Sequence, residues 1–300
     1  MTAPTSGLID RVECFTPARG ATEHSTAVLR WGLPRLRDLP WRCTRDPWAI
    51  LVSEMMLQQT QAARVVPKWY GFLHAYPSPI ECAEASLGDV LRLWQGLGYP
   101  RRAKNLHGAA TRIVALGEFP STLETLLLLP GVGQYTARAV LAFAFEADVA
   151  VVDTNIARVL ARLAGHRLTA KQAQAAADAA LAVGDSWSWN QCLMDLGAVL
   201  CRPAAPQCAV CPLHDQCAWR GLGDDPACGS AGVSTRQARF AGSDRQARGR
   251  LMKALVDGYV SVDRVAAVMR CDAARASRLV DDLQREQLVV QCGEVLHLPV

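Results

Sequence analysis

Residues 201–217 read CRPAAPQCAVCPLHDQC, placing Cys201, Cys208, Cys211 and Cys217 in the pattern C-x6-C-x2-C-x5-C. The chain has eleven cysteines, and the other seven are scattered at no regular spacing. That distribution is a metal site plus ordinary buried thiols, not a disulfide framework. Four thiolates in one compact loop can ligate zinc or a [4Fe–4S] cluster. Structural zinc more often uses two separated short-spaced pairs. Here there is one C-x2-C with its outer partners farther away, and the spacing favours the cluster.

The chain ahead of this loop reads as helix. From about residue 23 to 222 the apolar periodicity is helical, with Asp46 and Pro47 as N-cap and first-turn residue of a helix through Gln59. Further helices are expected over Ala62–Ala75, Leu87–Gln95, Arg102–Leu116, Thr122–Leu128, Gln134–Phe145, Asn155–Leu163, Ala170–Val183 and Trp189–Cys201. No series of alternating strands interrupts them, so the fold class is all-α. Residues 1–22 lack periodicity and read as a loose tail. Residues 223–246 read as a linker, and the stretch 234–250 carries five arginines and one aspartate. The segment 247–300 shows helices at Gly249–Leu255, Val262–Met269 and Ala273–Gln287, then LVVQCGEVLHLP, a hairpin turning at Cys292–Gly293. Three helices and a hairpin describe a small winged-helix-like domain.

Half of the 300 residues are hydrophobic and a fifth are charged, which excludes a disordered chain. No apolar stretch approaches the ~20 residues of a membrane span, and the N-terminus lacks a secretory signal. The expectation is a cytoplasmic, nucleoid-associated monomer. A net charge of +4 permits a nucleic-acid partner without arguing strongly for one.

Two carboxylates and a glycine hairpin carry the chemistry. Glu54 interrupts the apolar run PWAILVSEMMLQQT. A glutamate taken out of water is paired, protonated or doing chemistry; taken alone, a pair with a neighbour such as Arg42 is the plainer reading. LPGVGQYTARAVL sets Gly131, Val132 and Gly133 at the start of a helix, where successive N–H groups can hold a phosphate. In VVDTNIARVLAR, Asp153 stands at a helix N-terminus. A plain N-cap explains most such aspartates.

As a set, hairpin, helix and Asp-capped helix resemble the helix-hairpin-helix glycosylase motif, in which that aspartate faces the sugar of a flipped nucleotide. The cysteine spacing is similar to that of the endonuclease III and MutY group of DNA repair glycosylases, where a structural [4Fe–4S] cluster holds a charged loop against DNA. Between Cys201 and Cys217 the basic residues are only Arg202 and His214. Superfamily members that also cut the strand carry a lysine nucleophile at the position of Tyr135, so the resemblance implies a monofunctional enzyme. SEMMLQQTQ, RDLPWR, WQGLGYPRRAKNLH and WNQCLMDLGA resemble the MutY adenine glycosylases over about residues 35–220, and the final segment resembles short-tailed actinobacterial members.

That resemblance implies removal of adenine from double-stranded DNA where it is mispaired with 8-oxoguanine or guanine. Glu54 would be the general acid at N7 and Asp153 the stabiliser of the sugar cation. Asn155 would help place the attacking water. Gln59, Thr60, Leu97 and Tyr99 match residues that wedge into the duplex and meet the opposite base. Arg37, Trp41, Arg42 and Gln191 match the adenine-pocket lining. One departure stands out: the final 50 or so residues cannot form the large C-terminal domain by which typical members read 8-oxoguanine. The rival readings are a thymine mismatch glycosylase and a non-catalytic iron–sulfur DNA-binding sensor. The first is disfavoured by Glu54 within SEMMLQQT, the second by the presence of both Glu54 and Asp153.

Overall fold

The computed structural model describes residues 23–233 and 239–300. The tail expected over 1–22 and residues 234–238 of the connector lie outside the described residues. In chain order the helices are α1 (Glu23–Gly32), α2 (Pro47–Leu57), α3 (Ala62–Ala75), α4 (Pro79–Glu84), α5 (Leu87–Trp94), α6 (Arg101–Leu116) and α7 (Leu123–Leu126). They continue with α8 (Gln134–Ala144), α9 (Thr154–Ala164), α10 (Ala170–Ala179), α11 (Ser186–Val199), α12 (Asp244–Val256), α13 (Val265–Met269) and α14 (Ala273–Arg285). Three short strands, β1 (Val260–Ser261), β2 (Val290–Cys292) and β3 (Val295–His297), form an antiparallel sheet in the order β1-β3-β2. Among the described residues no helix is long and apolar enough to cross a membrane.

Local chemistry explains most boundaries. The Asp46 carboxylate accepts from the N–H groups of Trp48 and Ala49, starting α2 where the sequence predicts. Ser78 with Glu81 and Thr169 with Gln172 form reciprocal capping boxes at α4 and α10. Gly117 and Gly165 end α6 and α9 in the left-handed conformation. Two differences have clear causes. Helix α4 is six residues long, too short to show periodicity, though its Ser-Pro-x-Glu start is a cap signal. Helix α12 begins at Asp244 instead of Gly249, because Ser243 accepts from Gln246 N–H and starts it one turn earlier.

The chain divides into two compact units. The first holds the chain up to Ile50, Ser121–Leu123, and Gly133 into the connector. There α11 packs against α1, α8 and α9, burying Leu29, Val140, Ile156 and Leu196. The second unit holds Leu51–Pro120, Glu124–Val132 and the chain from the connector to Val300. Its α6 packs on α4 and α5 over Cys82, Val90, Trp94 and Leu106. In the C-terminal segment, Leu251, Leu255, Met269, Leu279, Leu283 and Leu296 form the core under the sheet.

The C-terminal segment is joined to α5 and α6 of the same unit by polar contacts. Gly88 N–H in α5 donates to Pro299 O at 2.8 Å. Lys104 Nζ in α6 donates to Glu286 O at 2.8 Å and Gln287 Oε1 at 2.9 Å. A Cβ on Gly88 would fall well inside van der Waals contact with Pro299 O, a backbone atom that cannot swing aside. Helix propensity alone favours Ala over Gly by up to ~1 kcal/mol. Gly88→Ala is nevertheless expected to destabilise the protein, by about 1–3 kcal/mol as overpacking does, and to expose the C-terminal segment to limited proteolysis. Chemical denaturation and a timed digest measure both; a variant as stable as wild type would contradict the close approach at Pro299.

Candidate functional site

In the first unit, Cys201, Cys208, Cys211 and Cys217 line one pocket that is partly open to solvent, together with Arg162, His214, Trp219 and Arg220. Burial pushes the Cys211 thiol up to about 11, with Cys201, Cys217 and Cys208 adding to the push, a sign of how near the four sulfurs lie. Arg162 Nη1 donates to Cys201 Sγ at 3.3 Å and to Arg202 O at 2.8 Å. Its other nitrogens hold Asp225 at 2.6 and 3.0 Å, and its guanidinium stacks over Trp219 at 4.5 Å. Gly221, at φ +83°, leaves clear the place beside Cys208 Sγ where a Cβ would stand at 3.3 Å. The low charge of the loop itself is thus offset from outside by Arg162 and Arg220. Among the described residues, no three His, Cys, Asp or Glu side chains close on a point as a single ion would require.

One turn before Arg162 on α9 stands Arg158, only 3% exposed. It donates to Cys201 O at 2.7 Å, Gly197 O at 2.7 Å and Asn155 Oδ1 at 2.9 Å. Asn155 Nδ2 in turn donates to Asp153 Oδ2 at 2.9 Å, and Ile156 N–H donates to Asp153 Oδ1 at 2.7 Å. Asp153 is therefore an N-cap whose free oxygen is claimed by a side chain. It keeps part of its surface exposed, yet burial is the largest influence on its carboxyl and pushes it above the ordinary aspartate value. The Ile156 N–H, Asn155 and Arg158 pull the other way without cancelling it. A helix N-terminus favours the charged form of a carboxylate, and this burial opposes it.

Arg37 and Arg42 share a partner that sequence reasoning missed. Asp195 on α11, 1% exposed, accepts from Arg42 Nη1 and Nη2 at 2.9 and 2.8 Å. It also accepts from Arg37 N and Nε at 2.9 and 2.7 Å. Burial raises the Asp195 carboxyl, but Arg42 and then Arg37 outweigh it and hold it below the usual range. Arg42, weighed above as a partner for Glu54, has both terminal nitrogens on Asp195. Trp41 and Gln191 are buried nearby in the chain. Asn190, also unremarked in the sequence, accepts from Val151 N–H and donates to Val149 O, fixing the approach to Asp153. Both residues lie within WNQCLMDLGA, where only a long-range partner reveals their part.

In the second unit, Glu54 is 4% exposed, between Ser53 and Met55, both fully buried. Arg102 ties the end of that helix to the next loop. Its Nη1 donates to the carbonyls of Met55, Met56 and Gln58 at 3.0, 2.8 and 2.6 Å. Its Nη2 reaches Thr60 Oγ1, Leu97 O and Gly98 O at 3.1, 2.9 and 3.0 Å. Burial pushes Arg102 down to about 10, so it stays charged at neutral pH. Gln59 and Tyr99 both sit at positive φ, +56° and +48°, a strained backbone that tends to cluster at functional sites. Gln59 is exposed and Tyr99 partly so, whereas Leu97 is buried in this state. Gly131 is required twice over, by φ +76° and by Asn105 and Met55, which a Cβ would strike. Val132 is buried. In the first unit, Gly133 has open space where its Cβ would be, and it starts α8 with no side-chain cap; Tyr135 is the second residue of that helix.

A family model described as HhH-GPD superfamily base excision DNA repair protein matches residues 52–182. The chain is 42% identical over 277 residues to an adenine DNA glycosylase of Mycobacterium tuberculosis, spanning 89% of this chain and 90% of that protein. A Mycolicibacterium smegmatis protein of the same description is 42% identical over 278 residues, covering 89% of this chain and 92% of that one. The solved structure of a thermostable thymine-DNA glycosylase superposes with a TM-score of 0.61 at 28% identity, over 66% of this chain and 95% of that one. Glu54, the glycine hairpin and Asp153 fall inside the matched span, and the two bacterial likenesses run through the cysteine loop toward the C-terminus. On these grounds the chain belongs to the adenine DNA glycosylases of the HhH-GPD base excision repair superfamily.

Proposed function

We propose that this chain hydrolyses the N-glycosidic bond of adenine mispaired with 8-oxoguanine or guanine in double-stranded DNA. The observation that carries the proposal is Glu54, a carboxyl 4% exposed within a helix that is apolar apart from it and Ser53, in a chain 42% identical to adenine DNA glycosylases. Adenine leaves poorly until N7 is protonated, and a buried carboxylic acid is the group to supply that proton. Loss of the base develops positive charge on the sugar, which ionised Asp153 stabilises. Asn155 is oriented by Asp153 on one side and Arg158 on the other, so its second amide hydrogen is directed by the fold and can meet the attacking water. Gly131, Val132 and Gly133 open α8 as a backbone anchor for a phosphate of the DNA. Arg37, Trp41, Arg42 and Gln191 form the side of the first unit that receives the base. Gln59, Thr60, Leu97 and Tyr99 meet the opposite strand. The enzyme is monofunctional: Tyr135 cannot form a Schiff base, and Lys104 holds Glu286 and Gln287.

The four cysteines fit a [4Fe–4S] cluster. All four thiols line one pocket, and thiolates are the ligands such a cluster takes. Arg158, Arg162 and Arg220 supply positive charge beside it. When bound, the cluster supplies a rigid cross-link for the loop. Protein purified without oxygen is expected to contain about four irons and matching sulfide per chain; stoichiometric zinc without iron would overturn this.

Glu54→Gln keeps shape but cannot donate the proton, so single-turnover adenine excision is expected to fall ~10²–10⁴-fold. Binding to duplex DNA should change little, because phosphate contacts supply most of the affinity. Duplexes carrying A opposite 8-oxoguanine, A opposite G and T opposite G, cleaved with alkali after incubation, provide the assay. Near-wild-type excision by Glu54→Gln, or excision of T alone, would defeat the reading.

The pH dependence tests Asp153. Because burial raises its carboxyl, protonation sets in at a higher pH than for a solvated aspartate. The ionised fraction that the reaction needs is therefore lost early as pH falls. The acid limb of the single-turnover profile should lie above the ordinary aspartate value of ~3.9. A limb at or below that value would assign it to another group.

A further inference from the structure

We propose that Arg245, in the C-terminal segment, is a positioning residue for Tyr99, so that this short segment helps to set how the strand opposite the adenine is read. The inference rests on the reading above, in which Tyr99 meets the opposite base. Arg245 Nη1 donates to the Tyr99 hydroxyl at 2.9 Å. From the other direction, the Arg102 guanidinium lies 5.6 Å from the centre of the Tyr99 ring. Two cations therefore hold one tyrosine, one at its hydroxyl and one at its ring.

Tyr99 needs such a clamp. At φ +48° its backbone is in a region that a bulky side chain disfavours, and the ring is 37% exposed. A tyrosine so placed would sample other orientations unless its hydroxyl were held. Arg245 is itself placed by its segment. Ser243 caps α12 just ahead of it, and its guanidinium lies over the exposed Phe240 ring at 6.0 Å. Asp244 next to it accepts from Arg275 and Arg278 of α14 at 2.7 and 2.8 Å, and Arg248 pairs with Glu286 at 2.7 Å. The contacts of Gly88 with Pro299 and of Lys104 with Glu286 and Gln287 then fix the segment to α5 and α6, which flank Tyr99 in the chain. An arginine from the C-terminal segment thus stands at the residue that, on the reading above, meets the opposite base.

The test compares dissociation constants for two duplexes of one sequence. One carries a non-hydrolysable 2′-fluoro-adenosine opposite 8-oxoguanine; the other is fully paired. Wild type, Arg245→Ala, Arg245→Lys, Tyr99→Phe and the double variant Arg245→Ala/Tyr99→Phe are compared. Arg245→Ala and Tyr99→Phe are each expected to lower the ratio of the two constants about tenfold, the scale of a hydrogen bond to a charged group. The double variant should lower it no further, and Arg245→Lys should recover part of it. A purely structural role would give additive losses with a lowered melting temperature and no recovery by lysine. Should Arg245→Ala fail to fold, Tyr99→Phe, which keeps the ring, carries the test. An unchanged ratio in Tyr99→Phe or Arg245→Ala, or a wild-type ratio near one, would overturn the inference. Failure of wild type to release adenine from any duplex would instead sink the functional reading on which it rests.

Discussion

Among the described residues, four arginines are almost wholly buried: Arg42, Arg102, Arg158 and Arg162, at 4, 7, 3 and 1% exposure. A buried charge costs several kcal/mol unless it is paired or fully hydrogen-bonded, so each of them dictates what surrounds it. Arg42 and Arg162 are met by carboxylates, Asp195 and Asp225. Arg102 and Arg158 are met chiefly by main-chain carbonyls. The second solution turns a charge into a clamp. The carbonyls at a helix C-terminus lack partners and carry partial negative charge, and Arg102 gathers those at the end of α2 with those of the Leu97–Gly98 turn. Arg158 does the same at the end of α11, taking Gly197 and Cys201. The segments that carry Gln59, Tyr99 and the first cysteine are therefore held in place by guanidiniums, although two of those residues lie in strained backbone.

What was legible in the sequence follows from range. The Asp46 and Asp153 caps, the left-handed Gly131 and the cysteine spacing act over a few residues, and their chemistry is written where they act. Helix extents were nearly right where the apolar period was long, as in α3 and α6, and missed where a cap or a short helix governed, as at α4 and α12. Asp195 was not legible. It serves Arg37 and Arg42 across more than 150 residues, and nothing local separates it from any helix aspartate. Arg102 reads as one more basic residue in PRRAKN because its partners are carbonyls, which every residue has. The same holds for Gly88, whose missing side chain makes room for Pro299 near the far end of the chain.

Helix α9 shows how one stretch can serve two tasks. Arg158 and Arg162 are four residues apart and so share a face. The first reaches back to Asn155 and through it to Asp153; both reach Cys201. Removing either would take a donor from its partners: Asn155 Oδ1 and Gly197 O for Arg158, Asp225 and the Cys201 thiol for Arg162. Loss of one partner of a buried pair costs about 3–5 kcal/mol, more than most single substitutions. The amphipathic pattern of VVDTNIARVLAR predicts the helix but not that its polar positions are turned inward.

The two carboxylates owe their difference to position along a helix. Glu54 lies mid-helix in α2, where the backbone N–H groups around it are committed to carbonyls four residues back. Its neighbours in sequence are Ser53 and Met55, both fully buried. Asp153 precedes the first turn of α9, where N–H groups lack intrahelical partners, and it takes the one of Ile156. The second setting gives a carboxylate donors that support its charge even as burial opposes it. The division of labour proposed above, between proton donor and cation stabiliser, thus rests on two ordinary carboxylates, one in the middle of a helix and the other at the start of one.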